Sequence, residues 1–387
     1  MIKLEDVWKV YPDGTEAVKG LSMEILDGEL CILVGPSGCG KTTSMRLINR
    51  LLALTRGKIY VNGEDITKLD ANELRRGIGY AIQEIGLFPH MTVGENITTV
   101  PRLLGWPKEK SRSRAVELLE LVGLEPPDDF YGRYPAELSG GQRQRVGVAR
   151  CLGADPPILL MDEPFGAIDP INRERLQNEF LHIQQEIHKT VVFVTHDINE
   201  AIKMGDRIAL MNYGELVQYD TPAALLSQPV NSFVRGFVGT DRALKGLRLM
   251  RVKEVMRKKP PLVKLKDSAD EARGVMDRER RDWAVVVDDD HKLAGWVNRH
   301  QLEEGRTVDE IKTPYSTTAS PDTVLNEALS LMLMTAIGNL GIVDDQGILQ
   351  GVLTLNSIRR VIGVQYTEEE EYTEEDAAEE GTGGETT

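Results

Sequence analysis

Short, almost unbroken apolar runs recur along the first 240 residues: Leu30–Val34, Ile158–Met161 and Val191–Val194. Runs of this length, bounded by polar or Gly-containing stretches, read as strands buried on both faces. They alternate with longer stretches of helical spacing. Residues 1–240 therefore predict an α/β domain. Each run stops at once on a polar, acidic or glycine residue. Ligands of open α/β sheets gather at those carboxyl ends.

The pattern changes near Arg251. Glu271-Ala272, Met276, Val286-Val287-Asp288-Asp289, Leu293 and Gly295 recur as Glu327-Ala328, Met332, Ile342-Val343-Asp344-Asp345, Leu349 and Gly351, at a constant offset of 56 residues. A fixed period across helix, strand and turn positions marks a duplicated supersecondary unit. Each copy reads as strand, helix, strand, turn, strand, helix. The most apolar window, Ala328 to Val343, is interrupted by Ser330, Thr335, Gly338, Asn339 and Gly341. It predicts a buried helix followed by a strand, and no run approaches the length of a membrane span. The reading divides the chain into 1–240, a linker 241–255, repeats 256–310 and 311–365, and a tail 366–387.

Charge adds one feature. The net charge is -15, and the tail holds ten acids, from Glu368 to Glu385, without Lys or Arg. Such a segment repels itself and buries no apolar surface, so it is expected to be disordered. No basic stripe points to a nucleic-acid polymer. Cys31, Cys39 and Cys151 are scattered, odd in number and not at metal-ligand spacing, which suits a reducing compartment. The start, Met1-Ile2-Lys3-Leu4-Glu5-Asp6, is charged at once. It lacks a signal-peptide apolar region, and a cytoplasmic chain held at a membrane only by a partner is expected.

Candidate chemistry sits at the strand ends. Gly35-Pro36-Ser37-Gly38-Cys39-Gly40-Lys41-Thr42 matches G-x-x-x-x-G-K-[ST], after one apolar run and before a helical stretch opening at Thr43. Glycines let backbone N–H groups crowd round phosphate oxygens, and the helix N-terminus adds a favourable dipole. Lys41 is expected to reach the β- and γ-phosphates and the Thr42 hydroxyl to bind Mg²⁺. A second run ends on Asp162-Glu163. Asp162 suits the Mg²⁺-holding aspartate, and Glu163, pointing elsewhere, can polarise a water. Ser139-Gly140-Gly141-Gln142 opens another helix and forms a second anion cradle. One cradle per nucleotide suffices, so the second makes sense if it completes the site of another copy.

Taken in order, Gly35–Thr42, Gln83, Leu138–Gln142, Asp162-Glu163, Asp169 and His196 resemble the full motif set of an ABC ATPase. The resemblance covers about the first 240 residues. It implies a P-loop fold with a RecA-like core and a helical subdomain, ATP and Mg²⁺ as substrate and cofactor, and two chains per working site. By resemblance Glu163 is the general base and His196 contacts the γ-phosphate. Gln83 senses the γ-phosphate and Mg²⁺. Ser139, Gly140, Gly141 and Gln142 clamp the ATP of the opposite subunit, and Asp169 bridges the dimer, with Ile168 where Leu is usual. Tyr11 is either an adenine-stacking ring or an aromatic on a strand face.

Three classes stay in view: importer ATPase, exporter ATPase and soluble ABC ATPase. The chain carries no fused membrane domain, no second ATPase domain and no coiled-coil insertion, which favours the importer. Gln83–Thr92 is apolar and broken by Gly and Pro; Leu87 and Phe88 either receive a helix of a membrane partner or pack inside the domain. That wording, with Leu103-Leu104-Gly105-Trp106-Pro107, resembles the ATPases of quaternary-amine importers, which take up glycine betaine, proline betaine, carnitine or choline. Val263–Ser357 resembles a tandem CBS (Bateman) module, which that branch carries. The implied partners are membrane permease subunits, a second ATPase chain and, through the complex, a substrate-binding protein, at the cytoplasmic face of the plasma membrane. The Gly-x-x-Thr-x-x-Asp pattern of adenosyl-binding CBS repeats is incomplete. Gly295–Gln301 has neither the Thr nor the Asp, and Gly351–Ser357 has only Thr354. A cyclic dinucleotide between two copies and a charge-based reading of ionic strength both stay open; Arg273, Arg278, Arg280 and Arg281 either serve one of these or form only a solvated basic helix face. An importer of another solute, such as an amino acid, is the rival substrate reading.

Overall fold

The structure is a computed structural model that describes residues 1–81, 86–166, 168–335 and 338–363. It divides into two compact units, Met1–Thr240 and Asp241–Thr387. Gln83, Ala167 and the acidic tail lie outside the described residues.

The first unit opens with β1 (Ile2–Val10), β2 (Glu16–Ile25), β3 (Leu30–Val34), α1 (Lys41–Ile48), β4 (Arg56–Val61), β5 (Glu64–Asp65), α2 (Ala71–Arg76) and β6 (Ile78–Ala81). A helical stretch follows: α3 (Val93–Ile97), α4 (Thr99–Leu103), α5 (Lys108–Leu121), α6 (Pro127–Tyr131) and α7 (Gly140–Leu152). Then come β7 (Ile158–Asp162), α8 (Pro170–Ile187), β8 (Thr190–Val194), α9 (Ile198–Met204), β9 (Arg207–Asn212), β10 (Glu215–Asp220), α10 (Pro222–Ser227) and α11 (Ser232–Val238).

The main sheet runs β10-β9-β3-β8-β7-β6, parallel except for the β9–β10 hairpin. Its central strands explain the unbroken apolar runs. On β3, Leu30, Ile32 and Val34 face a core shared with α5, α7 and α8, while Cys31 and Leu33 face a second core built with α1. β7 and β8 alternate in the same way, so both faces must be apolar. The alternating β/α reading does not extend to the N-terminus. There β2-β1-β4-β5 form a separate antiparallel sheet. β1 and β2 are joined only by Tyr11–Thr15, too short for a parallel crossover, and Gly14 turns the chain at φ 85°.

The second unit contains α12 (Arg242–Gly246), α13 (Val252–Val255), β11 (Leu262–Lys264), α14 (Ala269–Glu279), β12 (Trp283–Val287) and β13 (Leu293–Asn298). It continues with α15 (Val308–Ile311), β14 (Thr318–Ala319), α16 (Leu325–Thr335), β15 (Asn339–Val343), β16 (Leu349–Thr354) and α17 (Leu355–Val361). The two three-stranded sheets, β11-β12-β13 and β14-β15-β16, have matching pairings, parallel then antiparallel. The copies differ at their ends. Copy two closes with α17, capped by Thr354, whereas copy one closes with a short 3-10 turn, Arg299–Gln301, and Gly305 at φ 83° follows soon after.

The short helices ahead of the first strand of each copy, α13 before β11 and α15 before β14, are exchanged. Val252, with Leu247, sits in the core of the second copy beside Leu325, Ala328 and Met332. Val308 sits in the core of the first copy beside Val263, Ala272 and Met276. A third cluster of Trp283, Val285, Val287 and Val352 joins the two sheets.

Candidate functional site

The loop between β3 and α1 is shaped by glycines that tolerate no side chain. Gly35 has φ 151° and its missing Cβ would strike the Met211 carbonyl; Gly40 has φ 103° and would strike the Ala17 carbonyl. Both values lie in the left-handed region. Gly40 stands just before α1, so the loop wraps the helix N-terminus, where anions are favoured. Lys41 is only 6 % exposed, and its Nζ donates to the carbonyls of Gly35 at 2.8 Å and Pro36 at 3.0 Å. The hairpin that carries Tyr11 touches this loop through Ala17, and Lys9 Nζ lies 5.3 Å from the Tyr11 ring centre.

Strand β7 places its two carboxylates differently. Asp162 Oδ1 accepts from the Thr42 hydroxyl at 3.0 Å. Burial raises the Asp162 carboxyl above its ordinary range, opposed by the Thr42 hydrogen bond and by Arg46. A buried carboxylate with one hydroxyl partner is costly as it stands and would be relieved by a cation. Mg²⁺ commonly takes one or two carboxylates plus substrate phosphates, and Thr42 with Asp162 is a donor set of that size.

Glu163 leaves the strand direction at φ 44°, a left-handed conformation unusual for a residue with a long side chain. Its carbonyl accepts from Gly166 N at 3.0 Å. Phe165 anchors the turn beneath it, with ring centres 6.3 Å from Phe180 and 5.7 Å from Phe193. The turn aims the carboxylate at His196, whose Nδ1 lies 3.2 Å from Glu163 Oε2. Lys41, Thr42, Asp162, Glu163 and His196 thus meet at the carboxyl ends of β3, β7 and β8.

Ser139, Gly140, Gly141 and Gln142 are elsewhere. Ser139 caps α7 in a reciprocal box with Gln142. Asp169 caps α8, its Oδ1 accepting from Asn172 N at 3.1 Å. These residues line one open cleft that includes none of Gly35–Thr42. Two linking contacts carry no sequence motif. Gln144 of α7 donates from Nε2 to the Pro164 carbonyl, one residue past Glu163. The buried Asn96 holds the loop before α3, accepting from Phe88 N at 2.8 Å and donating to the Phe88, Met91 and Thr92 carbonyls. A polar residue inside an otherwise apolar helix face was the available signal. In that loop Leu87 packs on the core while Phe88 is 39 % exposed. The second unit adds no comparable cluster among the described residues. Arg273 is engaged by Asp270 and the Leu302 carbonyl, Arg278 and Arg280 are exposed, and Thr354 Oγ1 accepts from Ser357 N to cap α17.

Comparison with known proteins decides the family. Residues 18–166 match the ABC transporter model, and 252–304 and 308–364 match the CBS domain model. The chain is 44% identical over 367 residues to the glycine betaine/carnitine/choline transport ATP-binding protein OpuCA of Bacillus subtilis, covering 94% of this chain and 96% of that one. This chain belongs to the ATP-binding subunits of ABC transporters. It is also 45% identical to the osmoprotectant import ATP-binding protein OsmV of Salmonella typhimurium, covering 92% and 95% of the two chains. Among solved structures, the ATP-binding cassette MJ0796, a dimer in a post-hydrolysis state with ADP and Pi, aligns with a TM-score of 0.52 at 37% identity. That alignment spans 57% of this chain and 99% of that one. The ABC subunit is an ATPase with tandem CBS domains. As a member of its family it works in a pair and on a membrane permease. Among the described residues no helix is long and apolar enough to cross a membrane.

Proposed function

We propose that this ATPase powers import of a compatible solute, glycine betaine or a related quaternary amine, through separate permease subunits at the cytoplasmic face of the plasma membrane. The permease and a substrate-binding protein hold the solute. The observation that carries the mechanism is the split of the site. One chain presents the Lys41-Thr42-Asp162-Glu163-His196 cluster and, in a cleft apart from that loop, the Ser139–Gln142 cradle with Asp169. Two facing copies complete each other, so hydrolysis becomes conditional on closure.

Gly35 to Thr43 receive the phosphates of ATP, and Lys41 exchanges the Gly35 and Pro36 carbonyls for phosphate oxygens. Tyr11 stacks on adenine. Thr42, Asp162 and Gln83 hold Mg²⁺, which supplies charge neutralisation on the phosphates. Glu163 accepts the proton of the attacking water, and His196 orients Glu163 and the γ-phosphate. Phosphoryl transfer needs this positioning and charge stabilisation more than covalent chemistry. The substrate class is supported by the printed functions of the relatives over nearly the whole chain. The CBS pair is the regulatory module, reading a cyclic dinucleotide or ionic strength.

The test is reconstitution with the permease, followed by uptake of labelled glycine betaine, carnitine, choline and proline across an osmotic step. Transport of none of the four rejects the substrate class. The same vesicles, with cyclic dinucleotide or salt varied separately, decide which input the repeats read.

A further inference from the structure

A buried acid behind the site has no part in the chemistry above. Glu200 stands in the first turn of α9, four residues after His196, and is only 8 % exposed. An isolated buried carboxylate is costly, so its partners matter. Its Oε1 accepts from Gln177 Nε2 at 2.8 Å. The helix that carries it grows directly out of the His196 turn: Thr195 Oγ1 accepts from Asp197 N at 3.1 Å, and Asp197 Oδ1 accepts from Asn199 N at 2.8 Å to cap α9.

The Gln177 bond joins distant parts of the site. Thr195 directly precedes His196, and its own N–H donates to the Leu33 carbonyl of β3 at 3.1 Å. Gln177 lies on α8, the helix capped by Asp169. Arg173, on the same helix, donates to the Ile168 carbonyl at 2.8 Å and lowers the energy of a charged Glu200. Burial pushes the Glu200 carboxyl up, and the Gln177 hydrogen bond opposes it. An apolar residue would fill the space without this link. The carboxylate instead accepts from a donor on a separate helix.

We propose that Glu200 is a positioning residue for ATP hydrolysis: it fastens the Thr195-His196 turn to helix α8, so that the settings of His196 and Asp169 are fixed together. The inference rests on the hydrolytic role assigned to His196. It predicts an effect on turnover and none on ATP affinity, because neither Glu200 nor Gln177 lies on the phosphate loop.

The test uses an exchange of partners in the purified full chain, reading kcat, KM for ATP and melting temperature. Gln177→Glu sets two carboxylates together, and Gln177→Leu removes the donor. Each is expected to lower kcat about tenfold with KM within about twofold. When Glu200→Gln is added to Gln177→Glu, the amide now at position 200 donates to the carboxylate now at position 177, so kcat should recover to within about threefold of the parent. Gln177→Leu serves if Gln177→Glu does not fold. Parental kcat in both single variants overturns the proposal. So does an exchange that restores melting temperature and leaves kcat low. His196→Ala is the control. Full turnover by that variant removes the His196 reading itself, whereas an inactive control beside fully active Gln177→Glu and Gln177→Leu defeats the positioning role alone.

Discussion

At the scale of single residues, Asp162 and Glu163 share a strand end and meet opposite demands. Burial raises the Asp162 carboxyl above its ordinary range. A group raised on folding adds stability only below its unfolded pKa, and that contribution is lost as pH rises through the folded value. Near neutrality the ionised Asp162 is therefore a burden that a cation would lift. Asp162→Asn keeps an acceptor for Thr42 and removes the charge. Its nucleotide-free melting temperature should exceed the parent's near neutral pH, and the gap should close on acidification. Its Mg²⁺-dependent hydrolysis should fall at least about tenfold. A variant that melts lower at neutral pH would contradict the burial argument. Glu163, turned away at φ 44° toward His196, makes a different case. Glu163→Gln should keep ATP bound and lose about 10² to 10⁴ in turnover, read by filter binding and phosphate release. Undiminished release would remove it as general base.

Elements show what the amino-acid order could and could not reveal. β3, β7 and β8 are legible because both faces are buried, leaving no polar position to blur the run. The phosphate loop is legible because its glycines answer a local demand at Gly35 and Gly40. The antiparallel N-terminal sheet escapes the alternation argument, since pairing of β1 with β4 spans a long separation and leaves no period. Gln177 and Glu200 escape for the same reason, being 23 residues apart. The loop before α3 lies between these cases. Its apolar wording is visible, but only the structure shows that Asn96 orders it, with Leu87 inward and Phe88 outward. A pinned, exposed aromatic suits an interface anchor. Phe88→Ala should change stability by no more than about 0.5 kcal/mol and leave basal ATPase intact. Solute uptake with the permease should fall instead. Parental uptake would show that Phe88 takes no part in docking.

Across the second unit as a whole, the exchanged segments decide how it must behave. The copies look like two beads in sequence, yet each core takes in the short helix ahead of the other copy's first strand. Val252 precedes β11, the first strand of copy one, and packs with Leu325, Ala328 and Met332 of copy two; Val308 precedes β14, the first strand of copy two, and packs with Val263, Ala272 and Met276 of copy one. Trp283, Val285 and Val287 also meet Val352 between the sheets. Unfolding one copy therefore strips apolar cover from the other, and the pair should open as one cooperative body. Leu325→Ala tests this, because Leu325 is fully buried in copy two and its N–H donates to the Met250 carbonyl at 2.9 Å. The substitution should cost about 2–5 kcal/mol. Hydrogen exchange should then quicken on β12 of copy one as well as on β15 of copy two. Protection retained on β12 while β15 exchanges freely would make the copies independent. Shared opening has a functional consequence: a ligand or ion that steadies either copy steadies both, so one input reaches the linker side of the unit through the exchanged Val252 segment.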